Sequence, residues 1–443
     1  MVALVVQLQA IVNSMVHVAA IAVVGTGYVG LSCGVCLSAL GHQVTCIDID
    51  SAKIEQLNRG EIPIYEEGLE DLVKRCSEEG RLSFTTNLQK GLEVAEVIFL
   101  CLPTPQREDG SADLSFLITA VTHLAPYVAD ESIVVIKSTV PMGTHSRVEE
   151  LLVGRKIHVA TSPEFVREGS AVKDFFNPDR IIIGTRTTAI AERLERVFDG
   201  IKSTVLATDP ESAETIKNAS NSFLAMKLSY INAMAIICEL YGADILDVSR
   251  GIGLDSRIGS NFLQAGPGWG GSCLPKDANS LAFTANARGY SFSMLQEAIA
   301  INDHMQTHIV KKTEELVGGN LRGSKVAVWG LTFKANTDDL RESPAIRIVS
   351  QLLLEGASVA CFDPMVSANQ KSINGAVIHD SIEKSVENSD LILVLTEWSQ
   401  FREFDPELIS QAMAKRNVFD CRNLLDKEKW EKARFRFKAL GRP

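Results

Sequence analysis

The chain has 443 residues, which is too many for one ordinary hydrophobic core and predicts about three domains. Its residues are 46% apolar and 22% charged, as in a globular protein. The formal net charge of −11 provides no basic field for phosphates, so we expect no nucleic acid partner.

The first 18 residues are mostly apolar, but Asn13, Ser14 and His17 interrupt them and no basic run precedes them. A secretory signal or a membrane span needs a different pattern, so we predict neither, and no membrane partner. Met15 stands just before the first predicted strand, and our hypothesis is that it is the native start and that residues 1–14 are dispensable. Nine cysteines without the spacing of a small disulfide-bonded domain favour reduced thiols and a cytoplasmic enzyme.

A glycine-rich loop with the sequence GTGYVG, residues 25–30, follows an apolar strand at 18–24 and opens a predicted helix. A second strand, 43–47, then ends at Asp48. This arrangement lets the backbone approach a pyrophosphate at a helix N-terminus, while Asp48 accepts hydrogen bonds from a ribose diol. Because an acid would repel a 2′-phosphate, we predict NAD rather than NADP. Lys53, one turn into the next helix, either pairs with the cofactor or is a solvated surface lysine.

Two smaller features belong to the same predicted α/β unit. Cys33 and Cys36 form a C-x-x-C on the helix after the loop, where small buried residues are a better interpretation than a redox or metal pair, and we assign no metal site. Thr104 and Thr139 follow predicted strands at 96–102 and 132–137. Ligands bind beyond the carboxyl ends of such strands, so each threonine could contact the cofactor or a catalytic water. The competing interpretation is that each threonine only stabilises a turn.

A long helix is predicted after Asp209 and Pro210, which are a strong N-cap and first residue, and no breaker follows before Gly242. At roughly 30 residues it is long for a globular helix and suits a spine with a dimer surface. Lys217 and Asn221 lie one turn apart on it, so they face a sugar or phosphate together or are both solvated. Before it, the loop 162–169, SPEFVREG, carries two acids that line a site or are solvated.

The segment with the most chemistry is 266–277, GPGWGGSCLPKD. Its glycines allow close approach of another molecule, and Pro275 predicts the first turn of a helix to about residue 288. Cys273 then stands just before a helix N-terminus, where the dipole and Lys276 favour a thiolate. We interpret Cys273 as a nucleophile, with Asp277 nearby in sequence; the competing interpretation is a tight turn around a small apolar residue.

A second α/β unit begins near Gly323, with predicted strands at 325–330, 358–362 and 391–395 and a helix at 344–355. It lacks a complete G-x-G-x-x-G. Lys334 and Arg341 follow its first strand, and basic residues at a strand end suit a phosphate without requiring a dinucleotide.

Taken together, these separated motifs resemble the UDP-glucose/GDP-mannose dehydrogenase family over residues 18–430, most diagnostically through GGSCLPKD at 270–277. The resemblance implies an α/β fold with two Rossmann-like parallel-sheet domains joined by a long central helix, in a homodimer or higher homo-oligomer. The predicted domains are 15–208 for NAD binding, 209–305 for the central helical and dimerisation domain with the cysteine loop, and 315–443 for UDP-sugar binding.

The resemblance also implies a reaction, the oxidation of a nucleotide-sugar C6 alcohol to a carboxylate with two NAD⁺. Cys273 would attack the intermediate aldehyde and pass through a thiohemiacetal and a thioester. Lys217 would stabilise oxyanions, with Asn221 beside it. The residues that would position or activate water are Thr139, Glu164 and Asp277.

Two sets of binding residues follow from the same resemblance. Those that would contact the cofactor are Gly25, Gly27, Tyr28, Val29, Gly30, Asp48, Lys53, Thr104, Thr139, Glu168, Lys276 and Arg341. Those that would hold the sugar nucleotide are Glu164, Phe165, Val166, Arg167, Glu168, Lys217, Asn221, Phe262, Leu263, Gln264, Ala265, Gly266, Gly270, Lys334 and Arg422, with Arg257 reaching in from a neighbouring subunit.

The substrate prediction is UDP-glucose, oxidised to UDP-glucuronate, which residues 178–180 and 256–259 favour. Trp269 and Leu274 depart from many UDP-glucose enzymes, so GDP-mannose or a UDP-N-acetylhexosamine remains an alternative. A non-catalytic nucleotide-sugar-binding protein is a further alternative. A two-electron hydroxyacid dehydrogenase would need a histidine base, and none of the eight histidines stands in the glycine-rich motifs.

Overall fold

The computed structural model describes residues 18–367, 373 and 375–443, so the hypothesis about Met15 and residues 1–14 lies outside the described residues. The chain divides into two compact units between Ser220 and Asn221. Each unit contains one sheet, and helices flank the strands in sequence. This confirms the predicted fold class, an α/β protein with two Rossmann-like sheets and a long central helix.

The sheet of the first unit has the strand order β3-β2-β1-β4-β5-β6-β7-β8. Its strands are β1 Ala20–Val24, β2 Gln43–Ile47, β3 Leu82–Thr85, β4 Val97–Leu100, β5 Ile133–Ile136, β6 His158–Thr161, β7 Arg180–Gly184 and β8 Thr204–Thr208. Neighbouring strands are parallel, except that β6 and β7 meet in an antiparallel contact. The order of the first six strands is that of a dinucleotide-binding sheet.

The sheet of the second unit is parallel throughout, in the order β11-β10-β9-β12-β13-β14. Its strands are β9 Lys325–Trp329, β10 Ser358–Phe362, β11 Val377–Ile378, β12 Leu391–Val394, β13 Asn417–Asp420 and β14 Arg436–Ala439. The predicted strands at 325–330, 358–362 and 391–395 are the three central ones.

Continuous apolar runs explain why these strands are buried on both faces. In β1, Ile21 and Val23 pack into one hydrophobic cluster while Ala22 and Val24 pack into another. In β9, Val326 and Val328 likewise face one cluster, and the intervening residues face a second. Alternation with period two therefore divides each core into two layers, one on each face of its sheet.

Helices connect the strands. In the first unit they are Tyr28–Ala39, Ser51–Asn58, Leu69–Glu78, Leu88–Leu92, Ser115–Leu124, Thr144–Leu151, Ala171–Phe176 and Thr188–Val197. In the second they are Ile245–Gly253, Leu274–Ala287, Ser293–Val317, Pro344–Leu354, Ile382–Val386, Ser399–Glu403 and Lys427–Lys432. Each unit also has a short 3₁₀ turn, Ala125–Tyr127 in the first and Pro406–Leu408 in the second.

The long helix, Pro210–Tyr241, begins after Asp209 and ends before Gly242, as the sequence predicts. Asp209 accepts a hydrogen bond from the backbone N–H of Ser212 at 2.7 Å, which confirms it as the cap. By length and composition alone, this is the one helix among the described residues that could cross a membrane. It also buries charged side chains, Glu214 and Lys217 among them, a property expected of a helix inside a folded protein.

The helix Ser293–Val317 is absent from the sequence-based prediction. Its buried face carries Leu295, Ala298, Met305 and Ile309 at helical spacing, but Asn302 is buried on the same face and interrupts the apolar stripe. Gly318, with a φ of 115°, ends the helix in a left-handed conformation and was the available signal.

The two sheets repeat one local arrangement at the end of their first strand. In the first unit Gly25 follows β1 with a φ of 96°, and in the second Gly330 follows β9 with a φ of 93°. The residue that ends the neighbouring strand is an acid in both cases, Asp48 after β2 and Asp363 after β10. Asp363 Oδ2 accepts hydrogen bonds from the backbone N–H groups of Leu331 (2.7 Å) and Thr332 (3.1 Å).

Two further donors reach the same oxygen of Asp363, the Thr332 hydroxyl and the Trp398 indole, both at 3.2 Å. Its Oδ1 accepts from the backbone N–H of Met365 at 2.9 Å. Since Asp363 is 2% exposed, this buried carboxylate replaces water for five donors at once.

We expect Asp363→Asn to lower the free energy of unfolding of the second unit by about 2–4 kcal/mol. Whichever way the new amide is oriented, its NH₂ group faces a donor. All four tryptophans lie in the second unit, so urea denaturation followed by tryptophan fluorescence reports on it selectively. Asp380→Asn, at an exposed site, is the matched control, and an equal denaturation midpoint for both variants would contradict the interpretation.

Candidate active site

The glycine-rich loop of the first unit combines tight packing with an open face. A Cβ on Gly25 would collide with the carbonyl of Cys101, and one on Gly30 would collide with the carbonyl of Gly25. A Cβ on Gly27 would meet nothing within 4 Å. The loop is therefore closed against its own sheet and open at Gly27, where another molecule can approach the backbone.

Asp48 pairs with the same loop. Its Oδ2 accepts hydrogen bonds from the backbone N–H (2.8 Å) and the hydroxyl (2.6 Å) of Thr26, and its Oδ1 accepts from Asp50 N. Lys53 Nζ lies 3.4 Å from Oδ2. Burial raises the pKa of Asp48, but the hydrogen bonds from Thr26 and Asp50 and the Lys53 ammonium outweigh it and hold the pKa below its ordinary value. The carboxylate is therefore charged, and 12% of its side chain remains exposed.

These features fit a dinucleotide. The helix Tyr28–Ala39 begins at the loop, and the positive end of a helix dipole at its N-terminus favours a pyrophosphate. Asp48 keeps exposed surface, which the predicted contact with a ribose diol requires. Cys33 and Cys36 are buried on this helix, which agrees with their interpretation as packing residues.

Thr104 and Thr139 lie together at the ends of their strands. The hydroxyl of Thr104 donates to the carbonyl of Thr139 at 2.8 Å. The strands are shorter than predicted, ending at Leu100 and Ile136, so both threonines lie in loops beyond the sheet. The hydrogen bond joins these two loops.

Glu214, on the long helix, holds the loop that carries Thr139. Its two carboxylate oxygens accept from the backbone N–H groups of Gly143 and His145, each at 2.6 Å. One turn later, Asn218 Nδ2 donates to the carbonyl of Val140 at 2.9 Å. Glu214 is 1% exposed, and this burial raises its pKa to about 7. The hydrogen bonds from the two backbone N–H groups and the charge of Arg186 oppose this rise.

The loop 162–169 is also held from a distance. Glu66, more than 100 residues earlier, accepts from the backbone N–H groups of Gly169 (2.7 Å) and Ala171 (2.9 Å). Within the loop, Glu164 Oε2 accepts from Val166 N at 2.9 Å. Sequence reasoning missed both Glu66 and Glu214, because their partners are far away in sequence.

Lys217 is buried, so the solvated interpretation of this residue is wrong. Its ammonium lies 3.2 Å from Glu164 Oε1, and the two side chains are 5% and 7% exposed. The ring of Phe165 lies 5.0 Å from the ammonium and 3.8 Å from the guanidinium carbon of Arg180. Arg167, in contrast, is exposed and paired with Asp174. The structure therefore brings Glu164, Phe165 and Lys217 together.

In the second unit, Cys273 occupies the N-cap position of the helix Leu274–Ala287, as the sequence predicts. Its side chain is half-buried, unlike the other eight cysteines, which are buried. Its Sγ lies 3.5 Å from the hydroxyl of Ser272. A thiol that is both accessible and at a helix N-terminus is placed for nucleophilic chemistry.

Asp277 lies one turn into the same helix and is 1% exposed. Its Oδ2 accepts from Asn221 Nδ2 at 2.5 Å, and its Oδ1 pairs with Lys276 Nζ at 2.5 Å. Three of the predicted residues are thus in direct contact around one carboxylate.

The glycines before Cys273 are required by their neighbours. A Cβ on Gly270 would collide with the carbonyl of Glu342, and one on Gly271 would lie 2.7 Å from the Phe333 ring. A Cβ on Gly266 would meet the guanidinium of Arg422 at 3.0 Å. Arg422, predicted to hold a sugar nucleotide, is therefore adjacent to the predicted substrate segment 262–266.

The remaining predicted residues of the second unit differ in their surroundings. Arg341 forms a forked pair with Asp339, at 2.8 to 3.1 Å, and Lys334 Nζ lies 5.6 Å from the Phe333 ring. Arg257 is 87% exposed and pairs with Asp255. Trp269, a departure from many relatives, is buried with its indole donating to Ser229, so local packing accommodates it.

The raised pKa of Glu214 predicts a pH-dependent stability. The folded protein binds this proton more tightly than the unfolded chain, so stability falls as the pH rises from 4.5 to about 7. Glu214→Gln removes the titration, and relative to it the wild type should lose on the order of 3 kcal/mol across that interval. Scanning calorimetry of both proteins at a series of pH values measures this difference.

The neighbouring groups remain in both proteins. Burial lowers the pKa of His145, which faces Glu149 and Arg186, and Glu211 lies nearby, so their effects cancel in the comparison. Glu150→Gln, exposed on the helix Thr144–Leu151, is the control. Melting temperatures of wild type and Glu214→Gln that differ by a constant amount at every pH would contradict the assignment.

Comparison with known proteins identifies the family of the chain. Residues 19–202 match the NAD binding domain of the UDP-glucose/GDP-mannose dehydrogenase family, 211–304 its central domain and 327–427 its UDP binding domain. A UDP-glucose 6-dehydrogenase of Bacillus subtilis is 42% identical over 95% of this chain and 97% of its own length. One of Rhizobium meliloti is 42% identical over 96% of this chain and 99% of its own length.

Solved structures agree. The UDP-glucose dehydrogenase of the archaeon Pyrobaculum islandicum superposes with a TM-score of 0.89 at 34% identity, covering 97% of this chain and 98% of that one. The UDP-D-ManNAc dehydrogenase of Pyrococcus horikoshii gives 0.85 at 28% identity, covering 95% and 99%. The chain therefore belongs to the UDP-glucose/GDP-mannose dehydrogenase family, with NAD as its cofactor and a nucleotide sugar as its substrate.

Proposed function

We propose that this protein oxidises UDP-glucose to UDP-glucuronate, a four-electron reaction that uses two NAD⁺. The observation that carries the chemistry is the half-buried Cys273 at a helix N-terminus, beside the contacts among Asn221, Lys276 and Asp277. The substrate assignment is supported by relatives named UDP-glucose 6-dehydrogenase at about 40% identity over nearly the full chain.

When bound, NAD accepts hydride from the C6 carbon. Cys273 supplies what a second oxidation at the same carbon needs. Its thiolate attacks the aldehyde carbon and forms a C–S bond, and the carbonyl oxygen becomes an oxyanion within a thiohemiacetal. Loss of hydride from that carbon, which a second bound NAD⁺ would accept, gives a thioester. Water then adds to the thioester carbon and the C–S bond breaks, so that the products are a carboxylate, the free thiolate and two protons.

Charge stabilisation is assigned to Lys217 and Asn221. An ammonium and an amide N–H₂ are both suited to an oxyanion, and Lys217 sits in a buried environment where electrostatic interactions are strong. Its partner Glu164 balances that charge before the reaction. We assign the positioning or activation of water to Thr139, Glu164 and Asp277.

We assign binding of the nucleotide sugar to residues of the second unit. Arg422 and Lys334 offer positive charge to a diphosphate. Gly266, the last residue of the segment 262–266, lies against Arg422. Phe262 adopts a φ of 62°, which a non-glycine residue rarely does. Arg257 is 87% exposed and pairs with Asp255, and we assign it to contact with a second subunit.

A related substrate is the second candidate. Solved dehydrogenases of UDP-N-acetylmannosamine share the fold at 26–28% identity. Leu274, beside Cys273, is half-buried against the cluster around Trp269. It departs from many UDP-glucose enzymes, so the sugar must be tested directly.

We further propose that the protein is a homodimer in the cytoplasm. The long helix exposes Phe223 (61%), Tyr230 (57%) and Ile237 (44%), each seven residues apart. This spacing places three large apolar side chains on one helix face, the pattern by which helices pair. A second copy of the same helix is the natural partner for such a self-complementary stripe.

The direct test of function is NADH yield with limiting UDP-glucose and excess NAD⁺, measured by absorbance. We expect two NADH per UDP-glucose and none from GDP-mannose or a UDP-N-acetylhexosamine. Cys273→Ser should abolish formation of UDP-glucuronate while NAD binding, measured by calorimetry, persists. Cys238→Ser, at a buried thiol, is the matched control.

Each outcome has a distinct meaning. A yield of one NADH would show that oxidation stops at the aldehyde and would overturn the role of Cys273. Signal only from another nucleotide sugar would overturn the substrate but not the chemistry. Full acid production by Cys273→Ser would overturn the covalent mechanism.

The dimer proposal predicts that Tyr230→Asp dissociates the protein, because a carboxylate in the apolar stripe loses hydration on pairing. Sedimentation velocity over a range of concentrations measures this change. Tyr290→Asp, at a tyrosine that is 64% exposed elsewhere, should leave the assembly intact. A wild-type monomer at all concentrations would contradict the proposal.

A further inference from the structure

The helix Ser293–Val317 places one buried amide against the chain just before Cys273. Asn302, 6% exposed, accepts a hydrogen bond at Oδ1 from the backbone N–H of Trp269 at 2.8 Å. Its Nδ2 donates to the carbonyl of the same residue at 3.0 Å. The backbone partners fix which way the amide points, because an N–H must donate and a carbonyl must accept.

The fit around this amide is close. Gly268 has a φ of 129°, and a Cβ there would lie 2.7 Å from Asn302 Oδ1. No larger residue could occupy the position without moving the amide or the chain. The paired hydrogen bonds and this contact define the path of residues 268–269 relative to the helix.

The side chain of Trp269 is held by the helices Pro210–Tyr241 and Ser293–Val317. Its indole donates to Ser229 Oγ at 2.9 Å, and Ser229 donates to the carbonyl of Ala298 at 2.5 Å. Trp269 belongs to a small apolar cluster with Ala225, Ala278 and Leu295. Trp269 is thus fixed through both its main chain and its side chain.

The chain is also fixed on either side of Trp269 in sequence. Gly266 N donates to Asn232 Oδ1 at 2.9 Å, and Gly271 N donates to the carbonyl of Arg341 at 3.1 Å. Between these two points, the Asn302 amide pairs both main-chain polar groups of one residue. A side chain that does so replaces a missing strand partner for that residue.

We propose that Asn302 is a positioning residue for Cys273, fixing the Trp269 peptide and thereby the direction in which the chain enters the cysteine turn. The proposal rests on the proposed function, in which the thiolate must reach an aldehyde carbon. Capture of that aldehyde needs near-attack geometry, and a displacement of about 1 Å is sufficient to cost a hundredfold in rate. An aldehyde that is not captured dissociates.

Asn302→Asp tests this role with minimal change of shape. At neutral pH the carboxylate still accepts from Trp269 N but turns an acceptor toward the Trp269 carbonyl. We expect kcat to fall about ten- to a hundredfold, with the KM for NAD⁺ unchanged. NADH per UDP-glucose should fall from two toward one, and hydroxylamine should trap the released aldehyde as an oxime, detected by mass spectrometry.

A pH profile separates positioning from loss of folded protein. A protonated carboxyl carries an O–H that can donate to the Trp269 carbonyl as the amide does, and burial favours the protonated form. The NADH yield of Asn302→Asp should therefore return toward two as the pH falls from neutral to about 5. A smaller folded fraction would lower the rate but leave the yield per sugar unchanged.

Two further variants complete the experiment. Asn286→Asp, exposed on the helix Leu274–Ala287, is the matched control and should keep a yield of two. Ser229→Ala removes the partner of the Trp269 indole and the hydrogen bond from Ser229 to the Ala298 carbonyl. It leaves the Asn302 amide in place, so it should lower the yield less than Asn302→Asp. If Asn302→Asp does not fold, the NADH yield of Ser229→Ala tests the proposal instead.

The outcomes distinguish a failure of the role of Asn302 from a failure of the proposed function. A wild-type yield of two with a lowered, pH-rescued yield in Asn302→Asp supports the inference. A wild-type yield of two with unchanged yields in Asn302→Asp and Ser229→Ala overturns it alone. A wild-type yield of one overturns the proposed function and the inference with it.

Discussion

The loops at the candidate sites depend on one constraint, that buried backbone N–H and C=O groups must have partners where no helix or strand supplies them. In this protein buried or half-buried side chains act as those partners. The acids and the amide that do so are Asp48, Glu66, Glu214, Asp363 and Asn302. Each takes hydrogen bonds from main-chain groups of a loop that carries predicted functional residues or precedes one.

This arrangement explains how a loop with many glycines can hold a reactive group in one geometry. Glycine allows the backbone to approach its neighbours closely but gives up side-chain packing. Around Cys273 the missing packing is replaced by hydrogen bonds to the peptide and by apolar contacts of Trp269. The glycines thus allow the backbone to approach its neighbours, while other residues hold the loop rigid.

The sequence was sufficient to predict features whose signals are local. The glycine-rich loop with Asp48, the cap at Asp209 and the helix after Cys273 are each encoded within about 25 residues, and the structure contains all three. Burial of Lys217 was not predictable, because the sequence of a helix alone does not show which of its faces is buried. Glu66 could not have been found at all, since its partners lie more than 100 residues away.

The two acids at equivalent positions of the two sheets also differ in what they leave accessible. Asp48 keeps an exposed edge beside an open glycine, whereas Asp363 is enclosed by its own loop and by the Trp398 indole. A ribose diol therefore finds an acceptor at the first sheet and a sealed carboxylate at the second. Although the fold is duplicated, an adenosine-based inhibitor directed at this acid would have a single target per chain.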